Sequence, residues 1–277
     1  MSAKVIIMKK LALIAGQGQL PVFIASYARE ANLPLEVIRL ENLGDEALLA
    51  FNPASYFLTQ IGTIISHLKD RDIGHIILAG KIHRDGLMGG PIDELSAELM
   101  KKTLPLGDDA ALKAILALLN QEGIQLVPTS MFLPDHQVPE GFDNEAHQND
   151  VDHIISNAIE AHTTFGQLDI GQALILQDSR ILSIEGAEGT DALIERTAPF
   201  IDTAMENRLF FKAAKSGQNK LLDPPVIGDM TIKQCAKAGI NIIAIEAEHC
   251  LLALPKDEID ALCKSLGIRL ISVKMPE

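Results

Sequence analysis

The sequence predicts an α/β protein of two domains, the first built on a mostly parallel sheet. Three observations carry that expectation. Short apolar runs alternate with helical patterns from Leu11 to Val127, the signature of repeated strand–helix units. Aromatic residues are only 4% with no Trp, so the core must come from Ile, Leu, Val and Ala, as buried parallel sheets often do. The length of 277 residues also exceeds what one compact core usually spans. The expected boundaries are an N-terminal domain over 1–128, a linker over 129–148 and a C-terminal α/β domain over 149–277.

In chain order, Leu11 to Ala15 (LALIA) reads as a buried strand. Gly16-Gln17-Gly18-Gln19-Leu20-Pro21 follows, then a helical pattern over Val22 to Ala31, with Pro21 suited to the first turn. The two glycines allow a phosphate close to the backbone, and the helix start supplies free N–H groups. A dinucleotide fingerprint needs a third glycine where Pro21 stands, so a tight turn is preferred to a nicotinamide site with Glu41 on the ribose. Strands are expected at Leu35 to Leu40, Tyr56 to Gln60 and His75 to Ala79, with a helix at Ile64 to Lys69. Gly80-Lys81-Ile82-His83-Arg84 places basic residues after a strand, where open α/β sheets bind ligands. Asp93 to Lys102 is the next helix. Asp108 and Asp109 open the helix Ala110 to Gln121, as caps first and metal candidates second. Ile124 to Val127 is a strand.

Pro128, Pro134, Pro139 and Gly141 then break all periodicity, which gives the linker reading. His136, His147 and His153 have no tight metal spacing and read as solvated. Beyond them a helix is expected over Val151 to Thr164. A hairpin follows around Asp178-Ser179, from Ala173 to Gln177 and from Arg180 to Glu185. Gly189 would let a ligand approach the start of the helix Ala192 to Ala198, with Thr190 or Asp191 as its cap. Strands at Ile240 to Glu246, Leu251 to Leu254 and Ile268 to Val273 and a helix at Asp257 to Leu266 complete the chain.

The densest chemistry lies in Lys212 to Asp229 (KAAKSGQNKLLDPPVIGD), between the strand-like Leu209 to Phe211 and a helix over Met230 to Ala238 capped by Asp229. Lys212, Lys215 and Lys220 suit an anionic group such as a phosphate. Asp223 suits a hard metal ion or a proton from water. Pro224 and Pro225 stiffen the backbone and keep Asp223 out of the helical region. A solvated surface loop is the competing reading.

Composition removes several classes. With 24 basic and 37 acidic residues the net charge is −13, which argues against a nonspecific grip on nucleic acid. Cys235, Cys250 and Cys263 are scattered and odd in number, as small core residues of a reducing compartment would be. Met1 to Lys10 is unlike a secretion signal, and no apolar stretch is long enough to span a bilayer.

Five segments in order resemble the LpxI family, the UDP-2,3-diacylglucosamine pyrophosphatases of lipid A biosynthesis. Ile14 to Pro21 is similar to the family's opening IAGxGxLP. Gly80-Lys81-Ile82 and Leu106 to Ala110 resemble its next two signatures. Glu188-Gly189-Thr190-Asp191 matches its EGTD segment, and Lys212 to Gly228 resembles its KxxKPGQDxRxDLPxIG stretch. Ser216, Asn219, Lys220 and Pro224 depart from that last pattern, which has Pro, Asp, Arg and Leu there.

The resemblance implies a Rossmann-like N-terminal half and a distinct α/β C-terminal half, a homodimer, and lipid held between the domains. It implies Mg²⁺-assisted hydrolysis of UDP-2,3-diacylglucosamine to UMP and 2,3-diacylglucosamine 1-phosphate (lipid X). The family picture favours attack at the phosphorus next to the glucosamine. Asp223 would be the catalytic and metal-binding aspartate, with Lys212 and Lys215 on phosphoryl oxygens. Gly16, Gln17, Gly18, Lys81, Gly189, Thr190, Asp191, Gln218 and Asn219 would contact the substrate. The expected location is the cytoplasm, with room for peripheral contact with the inner membrane. The departures at Ser216 and Asn219 keep a non-catalytic sugar-nucleotide or lipid-binding protein as the alternative.

Overall fold

The structure is a computed structural model, and it describes residues 10–80, 82, 89–103, 108–145, 150–168, 170–215 and 224–276. The described residues form two compact units, one up to Phe132 and one from Leu133.

The first unit holds strands β1 (Leu11–Ala15), β2 (Leu35–Leu40), β3 (Ala54–Tyr56), β4 (His75–Ala79) and β5 (Gln125–Leu126). All pair in parallel, in the order β3-β2-β1-β4-β5. The chain builds outward from β1 to β3, then crosses to β4 on the other side, so the order reverses between β1 and β4. Such a reversal opens a crevice at the carboxyl ends of the two strands, the usual ligand position in these sheets. Every residue of β1 and β4 is buried, which is why both read as unbroken apolar runs.

Helices α1 (Gln19–Glu30), α2 (Ile61–Asp70), α3 (Glu94–Thr103), α4 (Asp108–Gln121) and the single turn α5 (Thr129–Phe132) belong to this unit. On α2, Ile61, Ile64, Ile65 and Leu68 recur at helical spacing and pack with Ile14, Ile38 and Ile76. The strand expected over Tyr56 to Gln60 ends at Tyr56, and Gln60 instead precedes α2. Asp93 explains the clean start of α3. Its carboxylate accepts from Ser96 N at 2.8 Å and from Thr63 N at 2.9 Å, capping α3 while holding the first turn of α2. Glu41, the acid considered for a ribose, pairs with Arg39 at 3.0 Å.

The second unit has a sheet ordered β12-β10-β8-β6-β7, from β6 (Ala173–Gln177), β7 (Arg180–Ile184), β8 (Arg208–Lys212), β10 (Ile242–Glu246) and β12 (Arg269–Val273). Strands β8, β10 and β12 are parallel, and β6 runs antiparallel to both β7 and β8. Side chains alternate across it. Ile175, Phe210 and Ile243 face helices α7 (Thr190–Thr197), α8 (Asp229–Ala238) and α9 (Lys256–Ser265). Leu174, Phe211 and Ile242 face α6 (Asp152–Gly166). A small parallel pair, β9 (Val226–Ile227) and β11 (Leu251–Leu252), stands apart. All three cysteines are buried here, and burial pushes the Cys250 and Cys263 thiols up to about 12.

The described part of the segment read as a linker is packed into structure. Thr129–Phe132 is helical, and Pro134–His136 forms a 3₁₀ turn. Val138 joins the core of the second unit, and Gln137 and Asp143 bridge to Leu251 and Ile271. His136, expected in solvent, is buried, and its Nδ1 donates to Leu252 O at 3.0 Å. Prolines that break periodicity mark irregular backbone, and here that backbone finds its partners more than a hundred residues away. His153 is exposed as expected, while His147 lies outside the described residues.

Candidate active site

In the first unit the β1–α1 turn meets the end of β4. Gly16 N donates to Ala79 O at 2.8 Å. Gly80, at φ 90°, comes so close that a Cβ there would lie 2.7 Å from Gln17 O. Gly18 precedes α1 at φ 108°, ψ 179°, a region essentially reserved for glycine, and no side chain caps the helix. Among the described residues, the first-turn N–H groups are thus held at the β1/β4 crossover without a side-chain cap. Gly16 is buried, Gln17 is exposed, and Lys81 lies outside the described residues.

The second unit repeats this device. Gly189 precedes α7 at φ 83°, ψ 176°, again with no side-chain cap among the described residues. The sequence expectation that Thr190 or Asp191 caps the helix is therefore corrected. Thr190 is the first helical residue and its hydroxyl is used elsewhere, while Asp191 is exposed in the first turn. Asp229 likewise starts α8 rather than capping it, and pairs with Lys233 at 2.7 Å. The loop before Gly189 is clamped from outside. Arg196 donates to Glu188 Oε1 at 2.8 Å and to Ile184 O at 2.6 Å.

Beneath this helix start lies a buried polar cluster at the carboxyl ends of β8 and β10. Lys212 closes β8 and is 7% exposed. Its ammonium donates to Thr190 Oγ1 and to Val226 O, both at 3.0 Å. Thr190 Oγ1 lies 2.7 Å from Glu185 Oε1, and Glu185 Oε2 accepts from Gln172 N at 2.8 Å. Glu246, at the end of β10 and buried, accepts from Ala214 N at 2.9 Å. His162 reaches in from α6, donating from Nε2 to Ala213 O at 3.1 Å and Gln172 O at 3.2 Å. Burial holds the His162 imidazole below its usual pKa, which favours its neutral form.

The cluster fixes both roots of the 216–223 stretch, through Ala214 on one side and Val226 on the other. Lys215, half-buried, is the last described residue before it. Asp223, Gln218 and Asn219 lie outside the described residues. Of the expected site residues, the structure thus brings Lys212, Thr190 and Gly189 together and places Gly16 and Gly18 on their own turn in the other unit. Glu185, Glu246 and His162 were not anticipated. A single acid closing an apolar strand looks like ordinary surface charge, and only tertiary packing buries it.

Comparison with known proteins gives the family. The LpxI N-terminal domain model matches residues 10–136, and the LpxI C-terminal domain model matches residues 140–271. A relative from Caulobacter vibrioides, named UDP-2,3-diacylglucosamine pyrophosphatase LpxI, is 30% identical over 283 residues, spanning 98% of this chain and 99% of the relative. The chain belongs to the LpxI family. The two matched domains meet between residues 136 and 140, a few residues after the point where the two units divide, between Phe132 and Leu133. Among the described residues, no helix is long and apolar enough to cross a membrane.

Proposed function

We propose that this LpxI chain hydrolyses the pyrophosphate bond of UDP-2,3-diacylglucosamine, giving UMP and lipid X in lipid A biosynthesis. The observation that carries this reading is the end-to-end match to a relative of that name. The finer parts of the proposal are a cytoplasmic location, a homodimer and peripheral contact with the membrane that holds the acylated substrate.

The reaction forms a bond from a water oxygen to one phosphorus and breaks the bridging P–O bond, with the bridging oxygen leaving on the other phosphate. It calls for an oriented water and for positive or N–H groups around the phosphoryl oxygens. Lys215, half-buried beside the 216–223 stretch, is proposed as the phosphoryl contact. The uncapped N–H groups after Gly189 are a second, because a helix start favours anions. Lys212 is proposed to hold that helix start in place, since its described bonds go to Thr190 and Val226. Asp223 is proposed to orient the water and accept its proton.

Mg²⁺ is proposed as the metal. Among the described residues no group of three or more His, Cys, Asp or Glu is arranged for a metal, and both oxygens of Glu185 already accept bonds. A donor set of Asp223 with substrate oxygens and water is the kind Mg²⁺ takes. The ion would supply charge neutralisation at the pyrophosphate.

The test is UMP release from UDP-2,3-diacylglucosamine by wild type and Asp223→Ala, each with Mg²⁺ and with chelator. Wild-type turnover that falls about a hundredfold or more in the variant supports the reading, as expected when a positioned base is lost. A folded wild type with no turnover overturns it in favour of a binding protein.

A further inference from the structure

Glu185 has no role in the reaction as described so far, yet it is 8% exposed and anchors the buried polar chain. The direction of every bond in that chain follows from the inventory of protons. An ammonium only donates, so Thr190 Oγ1 must accept from Lys212. A hydroxyl has one proton, and the remaining partner is Glu185 Oε1 at 2.7 Å, so the proton goes there. The other carboxylate oxygen accepts from Gln172 N. Glu185 therefore accepts on both of its oxygens. It reaches the Lys212 ammonium through a hydroxyl rather than by direct contact.

We infer that Glu185 is a positioning residue for the hydrolysis proposed above, an inference that rests on that reading. By fixing the Thr190 proton it fixes the acceptor that Lys212 sees. Lys212 then holds the first residue of α7 and the β9 backbone at Val226 in one geometry. The start of α7, with its uncapped N–H groups, and the C-terminal root of the stretch bearing Asp223 are aligned by the same chain. A neutral amide at 185 breaks this logic. Its oxygen can accept from Thr190 or from Gln172 N, and its NH₂ then faces the other donor.

The experiment measures kcat and KM for UMP release by the full chain in wild type, Glu185→Gln, Thr190→Val, Thr190→Ser and the Glu185→Gln/Thr190→Val double variant. Misplaced phosphoryl contacts should lower kcat by roughly tenfold to a hundredfold in Glu185→Gln, with KM little changed. Thr190→Ser, which keeps the hydroxyl, should restore most of what Thr190→Val loses. The double variant should lose no more than the worse single variant, because both break one chain. An unchanged kcat in Glu185→Gln overturns the inference, as do losses that multiply in the double variant. If Glu185→Gln fails to fold, the Thr190 pair decides: equal activity in Val and Ser overturns the inference, and loss in Val with retention in Ser supports it. A wild type without turnover removes the proposed function and this inference with it. Turnover in wild type with unaffected variants removes this inference alone.

Discussion

Asp143 and two histidines contribute to how this protein should respond to acid. Asp143 bonds to the guanidinium of Arg269 at 2.6 Å, which holds its carboxyl below the usual range. Burial holds His136 and His162 below the ordinary histidine value of 6.5. In both cases the unfolded chain takes up a proton before the native one does, so stability is full above the unfolded value and is lost as pH falls. Two stages are expected. The urea midpoint should hold at neutral pH, decline below about 6.5 as the unfolded histidines protonate, and decline again below about 4 as the unfolded Asp143 carboxyl does. His136→Gln/His162→Gln should flatten the first stage and leave the second. A midpoint unchanged from pH 8 to pH 5 would contradict this assignment.

At the level of elements, both candidate phosphate seats, the β1–α1 turn with Gly80 packed against it and the start of α7, depend on glycine, for different reasons. Gly189 needs its unusual backbone angles but has nothing within 4 Å of where a Cβ would sit. Gly80 has φ 90° and also the backbone of Gly16 and Gln17 within 3 Å. Gly189→Ala should cost about 1–3 kcal/mol from backbone strain alone. Gly80→Ala should cost more, because the β1–α1 turn must also move. Urea unfolding of the two variants checks the order, and equal losses would show that the turn yields freely. The same turns show what could be read in advance. LALIA before Gly16 and HIILA before Gly80 announce buried parallel strands, and the glycines announce the turns. The closeness of Gly80 to Gln17 could not be read, since the two follow strands that become neighbours only in the folded sheet. Thr190 looked like a cap because capping is a local rule, whereas Glu185 and Lys212 claim its hydroxyl through the fold. Glu246 gave no signal at all, since nothing local distinguishes it from a solvated acid.

For the whole molecule, the sharpest question is where the second unit begins, and the edge of its sheet answers it. Strand β12 is the last in the order β12-β10-β8-β6-β7, so one side of it has no strand partner. Residues 142–144 cover that side. Ser272 N donates to Phe142 O at 2.8 Å, Asn144 N to Leu270 O at 3.1 Å, and Leu270 N to Asn144 Oδ1 at 3.0 Å. Val138 is fully buried in the core beside them. An uncovered edge strand invites pairing between molecules. A fragment of residues 133–277 should therefore stay soluble and unfold cooperatively. A fragment of residues 149–277 loses the edge cover, the Asp143–Arg269 pair and the burial of Val138, the last alone worth about 1.5–3 kcal/mol. It should aggregate, or unfold at clearly lower urea. Size-exclusion chromatography and urea unfolding of the two fragments decide the matter. If the shorter one is as soluble and as stable as the longer, residues 133–148 are a linker after all. If only the longer one folds, this stretch is an integral margin of the sheet that carries Lys212 and Glu246.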